Sequence, residues 1–451
     1  MTLTLPARRK FELQAKLKSL RSEIQGWVTR TESDPLRRHH SQVRRIDATL
    51  NGLLDSMEKS QQWTQPSDEI VLAKASAWEI RILLAHSIWE VFRSKLGLRS
   101  EKFFGDKLAA WDDLAWACYE PALKHFSNSP KEPPLVYLSS TWSPFLRSRD
   151  SAFQTEIVAG LDAGDALNDP DYQSTISRLP IPLLGLPRFQ VAHLASALLI
   201  GHEIGHLVEF DFGLTTTITR AISAAALDFD TDWRSWSSEV FADLYGCLCF
   251  GHYFAGALID LLVAEKNLIT TQQPGSGKYP PRALRVEVVA SALEDLQLNA
   301  QATAVRKSWR DVYGPLHTPS GYADDIPKLV QAIYGQQGMN LAAILRPPSA
   351  NISAVAQQAA QNRRAELTAQ TDARVLFCAA RHIYENYSPQ DLEGASDLLI
   401  EQVVRGYANQ FRYRGERVKT KEELEQRLPT LLEQDFASGQ ALEKELNPES
   451  V

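Results

Sequence analysis

The chain of 451 residues contains no long hydrophobic run and no apolar leader. Its longest apolar segment, AGALIDLLVAE at 255–265, is interrupted by Asp260 and is shorter than the roughly 20 residues that cross a bilayer. The first residues, MTLTLPARRKFELQ, place no apolar core after their basic side chains, so we expect no secretory signal. We therefore expect no membrane partner and a cytoplasmic location.

Cysteine is scarce, with four residues in the whole chain. This number agrees with a reducing compartment rather than with a secreted, disulfide-rich protein. Cys247 and Cys249 share one apolar segment, but their spacing directs the two side chains to different faces of a helix. We interpret them as packing residues and not as a disulfide or a second metal site.

The net charge of −7 is modest and disfavours general affinity for nucleic acid. The charge is unevenly spread, because residues 1–45 hold 11 Lys and Arg against 4 Asp and Glu. Such a basic segment either forms a solvated helix face or binds an acidic partner such as nucleic acid. We favour the solvated face, since no aromatic or glycine-rich recognition motif accompanies the charge.

Apolar residues spaced three and four apart predict helices over 8–31 and 43–57, joined by a turn at 33–35. We assign this antiparallel hairpin to an N-terminal unit at 1–65. The hairpin either covers the rest of the protein or presents a docking surface for a protein partner.

Two short segments are typical of β-strands: Leu135–Ser139, and a weaker one near 181–186 among prolines. Helical periodicity dominates elsewhere, and the predicted helices cover 66–128, 216–227, 353–387, a segment capped by Ser388 and one opened by the capping box at Thr420. The sequence therefore predicts a mainly α protein with a small β-sheet, an α+β class.

The stretch LLIGHEIGHLVEF at 198–210 carries the most specific chemical signal in the chain. His202 and His206 are four residues apart, so that on an α-helix both imidazoles lie on one face and can bind one metal ion. Glu203 is turned about 100° around the helix from His202, which directs it at a water on that ion rather than at the ion itself. The alternative is a core helix whose histidines bridge inside the protein and whose glutamate pairs with an arginine.

A second buried helix is predicted over SWSSEVFADLYGCLCF at 235–250, with Glu239 and Asp243 four residues apart on one face, and it is expected to continue through GHYFAGALIDLLVAEK at 251–266. In this arrangement Glu239 is the third metal ligand. Asp243 accepts the ring N–H of His202 and so fixes its tautomer. Two imidazoles and one carboxylate leave a fourth tetrahedral position open for water, which is typical of catalytic zinc. We therefore predict Zn²⁺ as the cofactor.

HEIGH at 202–206 and EVFAD at 239–243 resemble the paired motifs of the gluzincin metallopeptidases, the thermolysin-like clan. The metzincin pattern fits worse, because Glu209 and Phe212 stand where that pattern needs glycine and histidine. The separation between the two motifs is longer than in thermolysin itself, so the resemblance is to the clan and not to that family.

The resemblance implies a zincin-like metallopeptidase core, here at 66–310, followed by a helical C-terminal region at 311–451 that forms the far wall of the cleft. It also implies a small sheet before the HExxH helix, whose edge strand aligns the substrate backbone. We expect 135–139 or 181–186 to supply that edge, and prolines at 180, 182 and 187 would suit an edge position.

The activity implied is hydrolysis of a peptide bond in a protein or peptide by a zinc-activated water. Glu203 takes the proton and later delivers it to the leaving amine. A cation or phenol is expected to stabilise the oxyanion of the tetrahedral intermediate. The leading candidates are Tyr279 and Arg285, and the others are Arg282, His252 and Tyr245.

Two other functions fit the same motifs. One is a catalytically inactive, zinc-stabilised interaction or regulatory protein, and the other is a zincin that hydrolyses a non-peptide amide. Replacing Glu203 by Gln separates an enzyme from a scaffold, because the change removes the base and leaves the metal ligands intact.

Overall fold

The computed structural model describes residues 3–33, 36–127, 131–148, 175, 179, 181–270, 277–315, 321–335, 339–362 and 372–416, the last ten of these as backbone alone. Within these ranges the protein is mostly helical and has a small three-stranded sheet, which confirms the predicted mixed class. None of the described helices combines the length and the apolarity that crossing a membrane requires.

The N-terminal region is built from four helices: α1 (Leu5–Arg30), α2 (His40–Glu58), α3 (Gln61–Thr64) and α4 (Asp68–Gly97). Arg21 on α1 lies 2.6 Å from Asp55 near the end of α2, so α1 and α2 run antiparallel and form the predicted hairpin. α4 packs along α1. Side chains of α1–α4 share a hydrophobic cluster with one face of the sheet, separate from the main core of the protein.

Several of the basic side chains of the N-terminal segment are paired with carboxylates that lie beyond it in sequence. Glu79 on α4 pairs with both Arg9 and Lys16 of α1. Arg38 Nη1 lies 2.9 Å from the buried Asp113. These contacts use positive charge to hold the hairpin against its neighbours, which agrees with the helix-face interpretation of this segment.

The sheet follows helix α5 (Gly105–Phe126) and consists of β1 (Leu135–Ser139), β2 (Phe145–Arg147) and β3 (Leu183–Pro187). The strand order is β1-β3-β2, with β1 parallel and β2 antiparallel to β3. β1 and β3 fall on the two predicted segments. β2 was not predicted, because three residues between turns carry no readable periodicity.

Of the two segments expected to supply an edge, 135–139 lies at an edge of the described sheet as β1, whereas the expectation that prolines mark 181–186 as an edge is wrong, because β3 is the central strand. Pro182 lies just before β3 and uses only its carbonyl, which accepts from Leu135 N at 2.9 Å. Pro187 is the last residue of β3, where a missing donor interrupts no further pairing. Pro180 is outside the described residues.

The central helices are α6 (Ile200–Asp211), α7 (Thr215–Ala224), α8 (Asp230–Ser235), α9 (Ser237–Phe250), α10 (His252–Leu262), α11 (Lys266–Thr270) and α12 (Arg282–Asp295). A 3₁₀ segment at Leu194–Leu199 leads into α6. The HEIGH helix and the glutamate helix are therefore present as predicted. The prediction that the glutamate helix continues beyond residue 250 is wrong, because Gly251 adopts φ +62° and ends it before α10 begins.

Two glycines let α6 and α9 approach closely. A Cβ at Gly205 would lie 2.8 Å from the Ala242 Cα, and a Cβ at Gly201 would lie 2.9 Å from the Phe250 ring. Real Cβ atoms do not approach a neighbouring heavy atom this closely. The two helices can therefore pack at this distance only because both residues are glycines. This packing brings the HEIGH face of α6 onto the Glu239 face of α9.

The C-terminal region contains α13 (Asn299–Tyr313), α14 (Tyr322–Tyr334), α15 (Leu341–Ile344), α16 (Ile352–Ala360), α17 (Ala373–Asn386) and α18 (Pro389–Glu416). The single helix predicted over 353–387 is wrong, because α16 ends at Ala360 and Asn362 adopts φ +55°. Ser388 caps α18 as predicted, accepting from Asp391 N at 3.2 Å. The capping box at Thr420 lies outside the described residues. α17 packs on α5 and on the 3₁₀ segment before α6, so this region shares the main core.

Candidate metal centre

His202 and His206 lie on the face of α6 that packs on α9. Their Nε2 atoms are 3.2 Å apart, and their rings meet edge to face with centroids 4.7 Å apart. The His202 and His206 side chains keep 11% and 20% of their surface exposed. Both imidazoles therefore direct the same nitrogen into one small space at the edge of the core.

Glu239 enters the same space from α9. Its Oε2 lies 3.2 Å from His202 Nε2 and 3.6 Å from His206 Nε2, and the ligand atoms of the three residues all lie within 4.8 Å of one another. Both Glu239 oxygens are buried without a hydrogen bond of regular geometry. Burial opposes ionisation, but the two imidazoles hold the pKa of this carboxyl well below its ordinary value. A buried, ionised carboxylate beside two imidazole nitrogens is a donor set that a divalent cation satisfies.

Asp243 lies one helical turn after Glu239 and contacts His202 from the other side of the ring. Its Oδ1 is 2.8 Å from His202 Nδ1. Burial opposes the protonated imidazole, but the hydrogen bonds with Asp243 and Glu239 raise the pKa of His202 to about 9. Below that pH the metal-free imidazole is protonated on both nitrogens; Asp243 holds the Nδ1 proton, so the Nε2 proton, which faces Glu239 and His206, is the one that a cation displaces.

Arg285, on α12, is bound to Asp243. Its Nε and Nη2 donate to the two Asp243 oxygens, each at 2.8 Å, and the residue is 7% exposed. Burial opposes the charged forms, but this pair lowers the pKa of Asp243 and raises that of Arg285. Arg285 is one of the two leading sequence candidates for the oxyanion, whereas in the structure its guanidinium engages the carboxylate behind His202.

Tyr279 is half exposed beside the site, with its ring 5.8 Å from the Arg285 guanidinium carbon. The other sequence candidates have different surroundings. Tyr245 is buried and donates its hydroxyl to the Cys118 carbonyl at 2.7 Å. The His252 ring is tilted against that of Tyr253, with centroids 3.9 Å apart, and burial lowers the pKa of His252 to about 4.

Glu203 is partly buried on the same helix as the two histidines. Burial raises the pKa of its carboxyl above the ordinary value, while His202 and His206 act in the opposite direction. Within the described part of the chain, no side chain or backbone N–H donates a hydrogen bond to the Glu203 carboxyl. A carboxyl with a raised pKa, close to the histidine pair and uncommitted to another group, is suited to exchange protons with a small molecule.

This chain matches no protein-family model, no curated protein and no solved structure. The comparisons therefore assign no family, and the resemblance to gluzincins rests on the HEIGH and EVFAD patterns of the sequence.

Three residues near this centre were not identified from the sequence. Lys278 Nζ lies 3.2 Å from Glu239 Oε1 on a side chain that is 71% exposed. Ser238 Oγ lies 3.0 Å from His206 Nδ1 and donates to Glu209 Oε2 at 2.6 Å. The available signals were weak: Glu209 follows His206 by three residues on one helix face, and Ser238 immediately precedes Glu239.

Proposed function

We propose that the protein is a zinc-dependent peptidase of gluzincin type, with a zincin-like core around α6 and α9. The observation that carries this proposal is the convergence of His202 Nε2, His206 Nε2 and a Glu239 carboxylate whose buried oxygens lack regular hydrogen-bond partners. A purely structural polar cluster satisfies its buried oxygens with donors from the protein. Here Lys278 pairs with Oε1 from a largely exposed side chain, while Oε2 faces the two imidazole nitrogens, an arrangement that a cation fits.

Zn²⁺ is the cation we assign, held by His202, His206 and Glu239. Two imidazoles and one carboxylate are a donor set of catalytic zinc sites, which keep one coordination position for water or substrate. When bound, zinc supplies a Lewis acid that lowers the pKa of water and polarises a carbonyl.

Glu203 acts as general base and then as general acid. The pKa of its carboxyl is raised toward neutral pH. A carboxyl with such a pKa can take a proton from the attacking water and deliver it to the departing amine. Asp243 and Arg285 orient His202 from behind. We keep Tyr279 as the candidate donor to the oxyanion, since its phenol belongs to a half-exposed side chain beside the site. Arg285 contributes to the orientation of His202, because it binds Asp243.

The substrate we propose is a peptide or protein segment in extended conformation. β2 is an edge strand of the described sheet and packs against α6, whereas β1, the other edge, packs against α4 and α5. An extended peptide can add to the edge that β2 forms in the described sheet and run across the HEIGH helix. The cytoplasm is the compartment we propose, since all four cysteines are free, buried thiols.

The test is Glu203→Gln, assayed on an unstructured protein substrate with zinc content measured on the same samples. We expect activity to fall by at least about 100-fold while zinc content is unchanged, because the amide cannot accept the proton. Substrate cleavage at the wild-type rate by the zinc-loaded variant would refute Glu203 as the base. Equal binding of a partner by both proteins, with no hydrolysis by either, would favour the inactive regulatory alternative.

A further inference from the structure

A partly buried series of hydrogen bonds leads away from His206 on the opposite side of the ring from Nε2. Ser238 Oγ lies 3.0 Å from His206 Nδ1 and 2.6 Å from Glu209 Oε2. Thr215 Oγ1 donates to the other Glu209 oxygen at 2.9 Å. Glu209 is 5% exposed, and its carboxylate accepts hydrogen bonds from both of these hydroxyl groups.

The groups that donate and accept in these hydrogen bonds can be assigned from their chemistry. An ionised carboxylate only accepts hydrogen bonds, so Ser238 directs its single hydroxyl proton at Glu209. Toward His206 the Ser238 oxygen can then act only as an acceptor, which requires the proton of the neutral imidazole to be on Nδ1. That tautomer leaves the lone pair on Nε2, the nitrogen that faces Glu239 and His202.

We propose that Glu209, acting through Ser238, is a positioning residue that holds His206 in its metal-binding tautomer and orientation. The inference rests on the proposed function, because it assigns these residues to the ligand set of that same site. It adds a role for two residues that neither motif contains: Ser238 lies just outside EVFAD, and Glu209 lies beyond HEIGH.

The two histidines are supported in different ways. Asp243 binds His202 directly, and its charge is shared with Arg285. Glu209 reaches His206 through a hydroxyl, and among the described residues it forms no ion pair with a lysine, arginine or histidine. The uncompensated charge of Glu209 therefore remains available to make His206 a stronger donor toward a cation.

The experiment measures the zinc dissociation constant of the full-length protein by competition with a chromophoric chelator, alongside the melting temperature of the metal-free form. For Ser238→Ala we expect zinc affinity to fall about 10- to 100-fold, the usual effect of losing such a partner. Ser237→Ala is the matched control, because Ser237 precedes Ser238 on the same helix and is itself buried. Its zinc affinity should equal that of the wild type.

Two further variants separate the hydroxyl group from the space it fills. Thr and Val have the same shape, so Ser238→Thr should recover most of the zinc affinity while Ser238→Val should not. Glu209→Gln should weaken zinc binding by a smaller factor, because the amide oxygen still accepts from Ser238 but carries no charge. If Ser238→Ala does not fold, the comparisons between Thr and Val at 238 and between Glu and Gln at 209 test the same claim.

The Co²⁺-substituted protein supplies a second readout. Its visible absorption reports the geometry of the ligands, and it should change in Ser238→Val but not in Ser238→Thr. If zinc affinity and the Co²⁺ spectrum are the same in wild type, Ser238→Val and Glu209→Gln, the inference is wrong while the metal site stands. If the wild-type protein binds neither ion, the metal site and this inference fail together.

Discussion

Gly205 lies against Ala242 so closely that a methyl group at residue 205 would be 2.8 Å from the Ala242 Cα. This contact lies within the HEIGH motif, between His202 and His206, and it sets the separation of α6 and α9. The geometry of the candidate site therefore depends on a residue that contributes no donor atom to it.

We predict that Gly205→Ala destabilises the protein by about 1–3 kcal/mol, the usual cost of overpacking a core, and weakens zinc binding because α6 must move away from α9. Thermal unfolding and zinc titration would measure both effects. Gly52→Ala is the control, because Gly52 is also in a helix but has no atom within 4 Å of the added methyl. It should be neutral or slightly stabilising. Equal effects of the two substitutions would contradict the proposed role of the contact.

The ligand pattern was readable from the sequence because it depends on helix geometry alone. Residues four apart lie on one helix face, so His202 with His206 and Glu239 with Asp243 could be paired before any tertiary structure was known. The mostly helical fold with a small sheet was predictable for the same reason, since the apolar spacing of three and four extends through most of the chain.

The remaining features depend on how the helices are packed. Ser238 and Glu209 meet only because α6 crosses α9 at the distance that the glycines allow, and no local pattern encodes that distance. Lys278 reaches Glu239 from a loop, where periodicity carries no information. The break at Gly251 did have a signal, because a glycine after a run of apolar helical residues is typical of a helix C-terminus.

Lys278 and a metal ion compete for the same carboxylate. Lys278 Nζ lies 3.2 Å from Glu239 Oε1, and Glu239 raises the pKa of this lysine against the opposing effect of burial. We predict that Lys278→Gln tightens zinc binding by a small factor, about 2- to 5-fold, because the lysine side chain is largely exposed and its ion pair is weak.

The matched control is Lys307→Gln. The Lys307 side chain is 70% exposed and pairs with Asp311 on a helix that contributes no residue to the site. Chelator competition would measure both variants under one salt condition. Weaker zinc binding by Lys278→Gln, with Lys307→Gln unchanged, would mean that Lys278 supports the metal instead of competing with it.

The metal-free protein should lose stability as the solution becomes alkaline. The pKa of His202 is raised in the folded state from 6.5 to about 9, because its hydrogen bonds with Asp243 and Glu239 outweigh burial. A raised pKa means that the stabilisation is complete below pH 6.5 and is lost as the pH rises through about 9. The loss is roughly 3 kcal/mol at most, from the size of that shift.

Urea unfolding of chelator-treated protein between pH 6 and 9.5 would measure this loss. Zinc binding displaces the proton, so the zinc-loaded protein should not show the same decline, and zinc affinity should rise with pH over this window. His202→Gln provides the control, since it removes the titrating group. A decline of equal size in that variant would assign the effect to other residues.

Elemental analysis of protein purified without added metal tests the central claim most directly. The wild type should contain about one zinc per chain, as a site with three protein ligands predicts, and Glu239→Ala should contain far less while remaining folded. Zinc in that variant at the wild-type level would exclude Glu239 as a ligand. A well-folded wild type that neither contains zinc nor binds it when titrated would contradict the account, and the HEIGH helix would then be a core element without a metal.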